Sequence, residues 1–132
     1  MPAITTAAPM ADAHTAIIVD FVAAWNQRDL AAIEALLAPE IVYHNIPMEP
    51  VRGRTAVMAA LTPFAQGCER IDWRISALAV AASGAVLTER VDDFYAAGGL
   101  ISVRVMGVFE IVDGLIAGWR DYFDPRELQP KS

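Results

Sequence analysis

Leu115-Ile116-Ala117-Gly118-Trp119-Arg120-Asp121-Tyr122-Phe123 is the stretch on which the fold turns. Extended as a strand, it sends successive side chains to opposite faces. Leu115, Ala117, Trp119, Asp121 and Phe123 then share one face, and Ile116, Gly118, Arg120 and Tyr122 share the other. The first set is a core face with a carboxylate planted in it. An ionised carboxylate among aromatic rings is costly unless it is paired or hydrogen-bonded. Its partner must come from elsewhere in the chain, and Glu89-Arg90-Val91-Asp92 is the best-suited segment. Arg90 and Asp92 lie two apart there and face the same way on a strand. On these grounds a structural ion pair and a catalytic cluster are both open.

The run before it, Leu100 to Val112, has an apolar face of Ile101, Val103, Val105, Phe109 and Ile111, with Gly107 among them. For both core faces to fall on the same side of a sheet, Ile111 must pair with Leu115. That register predicts a three-residue loop, Val112-Asp113-Gly114, with Gly114 in the left-handed conformation. It sets Asp121 across from Val105, and Trp119 across from Gly107, whose small size leaves room beside the indole. Asp121 is then expected on the floor of an apolar pocket lined partly by Val103 and Val105.

Two further strand-like runs, Ile71 to Val80 and Ala85 to Tyr95, precede these, and Ala82-Ser83-Gly84 and Ala97-Gly98-Gly99 are turn signals. The chain before Gly67 reads differently. Ile17, Ile18, Phe21, Val22 and Trp25 recur at helical spacing from about Ala13 to Gln27. Asp29 is a good N-cap for a second helix, Leu30 to Leu37, ended by Pro39. Ile41 to Asn45 alternates like a short strand with Ile41, Tyr43 and Asn45 on one face. Pro47 and Pro50 predict a rigid loop, and Gly53 leads into a third helix, Thr55 to Gln66, with Val57, Met58, Leu61 and Phe64 inward. Helices followed by an antiparallel meander define an α+β fold, with helices packed on one face of a curved sheet.

At 132 residues the chain is expected to form one domain, over residues 13–128. Residues 1–12 read as a loose N-terminal arm and 129–132 as a tail. A net charge of −6 disfavours nucleic acid. Nine Arg against the single Lys131 suggest a bacterial source. Cys68 is the only cysteine, and His14 and His44 are far apart, so no metal site is expected. No segment is apolar enough for a membrane span, and a cytoplasmic protein is expected.

Three motifs carry a resemblance: Tyr43-His44-Asn45, Thr88-Glu89-Arg90-Val91-Asp92, and Trp119-Arg120-Asp121-Tyr122-Phe123-Asp124. In this order and spacing the chain strongly resembles the limonene-1,2-epoxide hydrolase family, from about Ala16 to Leu128. Val51-Arg52-Gly53-Arg54 and Gly107-Val108-Phe109 fall within the similarity. The resemblance implies the nuclear-transport-factor-2-like (SnoaL-like) architecture, a cone-shaped sheet closed by N-terminal helices, and a homodimer formed on the face bearing Arg120 and Tyr122. It implies a triad of Asp92, Arg90 and Asp121, with Asp121 as general base, Asp92 as general acid and Arg90 bridging them. Tyr43 and Asn45 would orient the attacking water. The implied reaction is one-step water attack on a small or medium apolar epoxide, without cofactor or metal.

Elementary chemistry agrees with those roles. At neutral pH water is a poor nucleophile and the epoxide oxygen a poor leaving group. Two carboxyl groups in one desolvated pocket have their pKa values driven apart, giving one acid and one base. Around them Trp119 is expected as pocket wall as well as core. Met48, Leu61 and Leu78 fit either the core or the wall around the substrate. Two other readings use the same architecture: an isomerase or cyclase of the ketosteroid-isomerase or polyketide-cyclase kind, and a non-catalytic ligand-binding module whose ion network is structural.

Overall fold

A computed structural model describes residues 2–131, with side chains from residue 8 onward. Helix α1, Pro2–Asn26, is followed by α2, Leu30–Ala35, then strands β1, Leu37–Asn45, and β2, Val51–Arg52. Helix α3, Arg54–Gln66, leads into β3, Cys68–Val80, β4, Val86–Ala96, β5, Gly99–Val112, and β6, Leu115–Tyr122, and a 3-10 turn covers Pro125–Leu128. The six strands form one sheet in the order β2-β1-β6-β5-β4-β3. β3 to β6 are the expected antiparallel meander, but β1 joins β6 in parallel, so the sheet is mixed. It is also open: its edge strands β2 and β3 do not pair.

The helices pack on the inner face. Ile18, Phe21 and Trp25 of α1 and Ile33 of α2 are almost wholly buried, with Val57 and Leu61 of α3. Phe21 packs edge-on against Trp25, Trp73, Phe109 and Trp119, so one helix residue gathers aromatic rings from three strands. Such edge-to-face pairs add to area burial and fix ring orientation. Asp29 caps α2 by accepting from the Ala32 N–H at 3.1 Å.

Several expectations need correction. α1 starts at Pro2, so residues 2–12, read as a loose arm, are helical. Pro9 lies inside this helix, where it lacks the N–H of a backbone hydrogen bond. Met1 and Ser132 lie outside the described residues. The tail is tied down by a hydrogen bond from the Lys131 N–H to the Leu100 carbonyl at 2.6 Å. Residues 51–52, read as part of a loop, form β2 on the edge beside β1. Phe64 of α3 is 40% exposed, and its ring leans edge-on against Phe94.

The last hairpin differs most. Val112 pairs with Leu115, so the loop has two residues, Asp113 and Gly114, not three. Both have positive φ, 52° and 79°, the signature of a type I′ hairpin turn. A two-residue turn puts Ile116 on the inner face, where it is fully buried. An irregularity then follows: Ile111 pairs with Ile116 but Glu110 with Gly118, leaving Ala117 as the extra residue of a bulge. The bulge restores the phase, so Trp119 and Asp121 still face inward. Their partners become Phe109 and Gly107, in place of Gly107 and Val105.

Candidate active site

The inner face carries Arg90 and Asp92 on β4 because they stand two apart, and Asp121 on β6 because of the Ala117 bulge. Arg90 is 1% exposed, Asp92 3% and Asp121 5%. The guanidinium grips Asp92 with two parallel hydrogen bonds, Nε to Oδ1 at 3.0 Å and Nη2 to Oδ2 at 2.8 Å. The same Nη2 donates to Asp121 Oδ2 at 3.0 Å, and Nη1 donates to Thr88 Oγ1 at 3.1 Å. Asp121 Oδ1 has no hydrogen-bond partner among the described residues. The guanidinium carbon lies 4.6 Å from the centre of the Trp73 ring, a cation–π contact in a desolvated place.

The parallel pairing of β1 with β6 brings the second group of residues in. Tyr43 stands opposite Trp119 and Asn45 opposite Asp121. The Tyr43 ring is 4.1 Å from that of Trp119, and the nearby Asn45 side chain favours the charged form of its hydroxyl. Both residues are half-buried at the wall of one cavity of about 460 Å³, which Asp92 and Asp121 also line.

Burial pushes the Asp92 carboxyl up to about 6; Arg90 opposes that shift, and the negative charge of Asp121 adds to it. Burial and the nearby Asp121 charge hold the Tyr43 phenol well above its usual value, so it stays neutral. Burial alone would lower Arg90, but the two carboxylates outweigh it and keep the guanidinium charged. The cavity thus holds an acid poised near neutrality beside a second carboxylate, with a fixed cation between them. That arrangement can give a proton at one end and accept one at the other.

The rest of the cavity is largely apolar, with Glu49 a further charged residue at its wall. Of the expected wall residues, Trp119, Val103, Val105, Met48 and Leu61 line it. Leu78 does not. A register shift between Ile75 and Ala77 sets it opposite Thr88, where it packs against the core. Trp73, Phe94, Phe64, Val51, Phe123 and Leu128 are wall residues that sequence reasoning did not single out as such. Strand parity could have found Phe94, two residues beyond Asp92. Nothing local announces Leu128, which arrives on the C-terminal segment. Among the described residues, no group of three or more His, Cys, Asp or Glu is arranged to hold a metal ion. No helix there is long and apolar enough to cross a membrane.

An open mixed sheet backed by N-terminal helices, with its cavity on the inner face, is the nuclear-transport-factor-2-like class. The chain belongs to the limonene-1,2-epoxide hydrolase family: that family's catalytic-domain profile matches residues 12–130, which makes this an epoxide hydrolase of that type. It is 36% identical over 109 residues to epoxide hydrolase EphG of Mycobacterium tuberculosis, covering 82% of this chain and 71% of that one. It also superposes on the structure of an M. tuberculosis LEH-like epoxide hydrolase with a TM-score of 0.79 and 30% identity, covering 89% and 86% of the two chains. A putative isomerase from Bacillus subtilis gives a TM-score of 0.80 at 16% identity, over 89% of this chain and 91% of that one. At that identity the likeness shows the fold alone.

Proposed function

We propose that the enzyme adds water to an apolar epoxide in a single step, with Asp121 as general base and Asp92 as general acid. The observation that carries this reading is the position of Arg90 Nη2, which bonds both of the carboxylates that line a largely apolar cavity. Water loses a proton to Asp121 as its oxygen bonds to one ring carbon. The carbon–oxygen bond of the ring breaks, and Asp92 delivers its proton to the departing oxygen, leaving a vicinal diol. The hydroxyl of Tyr43 and the amide of Asn45, beside Asp121, orient the water. Arg90 stays charged throughout and lets the pair hold one proton and one negative charge.

The cavity's apolar walls favour a hydrophobic epoxide of small or medium size, and no cofactor has a part in the reaction. The outer face of the sheet exposes Met106 and Tyr122, at 47% and 45%, which suits a second copy of this chain in a cytoplasmic homodimer.

The experiment is hydrolysis of limonene 1,2-oxide in ¹⁸O-labelled water by the wild type and by Asp121→Asn. The wild type is expected to place one label in a diol. The variant keeps the shape, loses the base, and is expected to be slower by about a hundred- to ten-thousand-fold. An unlabelled isomer or cyclised product would favour an isomerase. Diol formation by the variant at the wild-type rate would remove Asp121 from its role.

A further inference from the structure

Arg90 belongs to β4 and Asp121 to β6, and β5 runs between them. Neighbouring strands stand about 4.8 Å apart, so the guanidinium has to cross a whole strand to reach the second carboxylate. The crossing is made over one backbone position. Thr88, Gly107, Asp121 and Asn45 are successive cross-strand partners, a single row over β4, β5, β6 and β1. Gly107 alone in that row has no side chain. A Cβ at this position would overlap Arg90 Nη1, and would stand 2.7 Å from Asp121 Oδ1 and 3.1 Å from Thr88 Oγ1. Arg90 has little room to give way. Trp73 covers one of its faces, Asp92 holds one edge at two points, and the hydroxyl of Thr88 holds the opposite edge.

Thr88 is 1% exposed and does not line the cavity. It shares the inner face with Arg90 and Asp92 through the two-residue repeat of β4. Its oxygen is the acceptor for Nη1, an N–H group that would otherwise be buried without this partner. Leaving such a donor unsatisfied is expensive, more so for a charged group.

We propose that Thr88 and Gly107 are positioning residues for the hydrolysis. The Thr88 hydroxyl sets the in-plane orientation of the Arg90 guanidinium, and the bare Cα of Gly107 provides the passage through which it joins Asp92 to Asp121. This rests on the Asp-Arg-Asp reading above. Neither residue touches substrate, so their removal acts on kcat through Arg90 and leaves KM in place.

The test compares Thr88→Val, Thr88→Ser and Gly107→Ala with the wild type on limonene 1,2-oxide, with the Asp92 and Asp121 carboxyl titrations followed by ¹³C NMR. Thr88→Val keeps the branched shape and removes the acceptor. It is expected to lower kcat about ten- to a hundredfold, the range of a lost hydrogen bond to a charge, at unchanged KM. Its carboxyl titration curves are expected to move from those of the wild type. Thr88→Ser restores the hydroxyl and is expected to restore both kcat and the curves. Gly107→Ala is expected to lose turnover and to shift the titrations if it folds. If it does not fold, the Val and Ser pair still decides. A Thr88→Val enzyme that melts earlier but keeps the wild-type kcat and carboxyl titrations would overturn the proposal. The NMR readout needs no turnover, so a wild type inactive on every epoxide would sink the function while leaving the positioning claim to the titrations.

Discussion

Asp92 and Asp121 accept hydrogen bonds from the same nitrogen, Arg90 Nη2, at 2.8 and 3.0 Å. They come from strands that are not neighbours in the sheet, and among the described residues the guanidinium is the one group bonded to both. Asp92 is gripped at both oxygens while Asp121 is bonded at one. Two carboxyl groups thus sit in unlike environments around one cation.

Asp92 makes stability depend on pH in a defined direction. Its folded pKa, about 6, lies above the unfolded value of 3.8, because burial disfavours the charge. Over that interval the folded protein holds a proton that the unfolded chain has released. The Asp92 contribution is therefore most favourable below about pH 4 and weakens by about 3 kcal/mol as pH rises through about 6. Asp92→Asn cannot titrate, so its urea-unfolding stability is expected to lose that slope. An identical slope in the variant would show that Asp92 is not its source. In the wild type, turnover is expected to decline above about pH 6 as the acid loses its proton.

Tyr43→Phe removes a hydroxyl and keeps the ring that packs on Trp119. On the proposed mechanism one hydrogen bond to the attacking water is lost, and kcat is expected to fall roughly tenfold with little change in melting temperature. Steady-state kinetics on one epoxide check this. Unchanged kcat would leave Tyr43 as wall only.

Ala117 is the residue by which β6 changes phase. Deleting it removes the extra residue, so Ile116 is followed directly by Gly118 opposite Glu110, and Trp119 and Asp121 stay on the inner face of a now regular strand. The deletion is expected to leave thermal unfolding cooperative, as is Ala117→Ser. A deletion variant without a cooperative transition would contradict the bulge.

β6 ends at Tyr122, which leaves the adjoining edge of β5 to the C-terminal segment. Glu127 Oε1 accepts the Arg104 backbone N–H at 2.9 Å, and its carboxylate also meets the Arg104 guanidinium. This latch holds Leu128 against the cavity. In Glu127→Ala the Arg104 amide is expected to exchange its hydrogen faster, and KM for bulky epoxides is expected to change more than for small ones. Unaltered exchange at Arg104 would show that the latch contributes nothing to order there.

Periodicity alone reads much of this protein. Two-residue spacing puts Arg90 with Asp92, and Trp119 with Asp121, on one face; helical spacing picks Ile18, Phe21 and Trp25; Asp29 announces α2. Those features rest on local sterics, where a side chain's direction follows from its place in the repeat. The family motifs add the five polar residues at the site as a set, although their spacing carries no information about distance.

Only the tertiary structure decided how the strands were joined. Val112 to Leu115 holds enough information to demand that Trp119 face inward, but a longer loop and a bulge at Ala117 satisfy that demand equally well. The choice depends on the whole ladder and on burying Ile116. The parallel seating of β1 beside β6, the row from Thr88 to Asn45, and the arrival of Leu128 at the wall likewise involve residues far apart in sequence. No local preference encodes such pairings, because their free energy comes from partners that meet only once the chain has closed on its core.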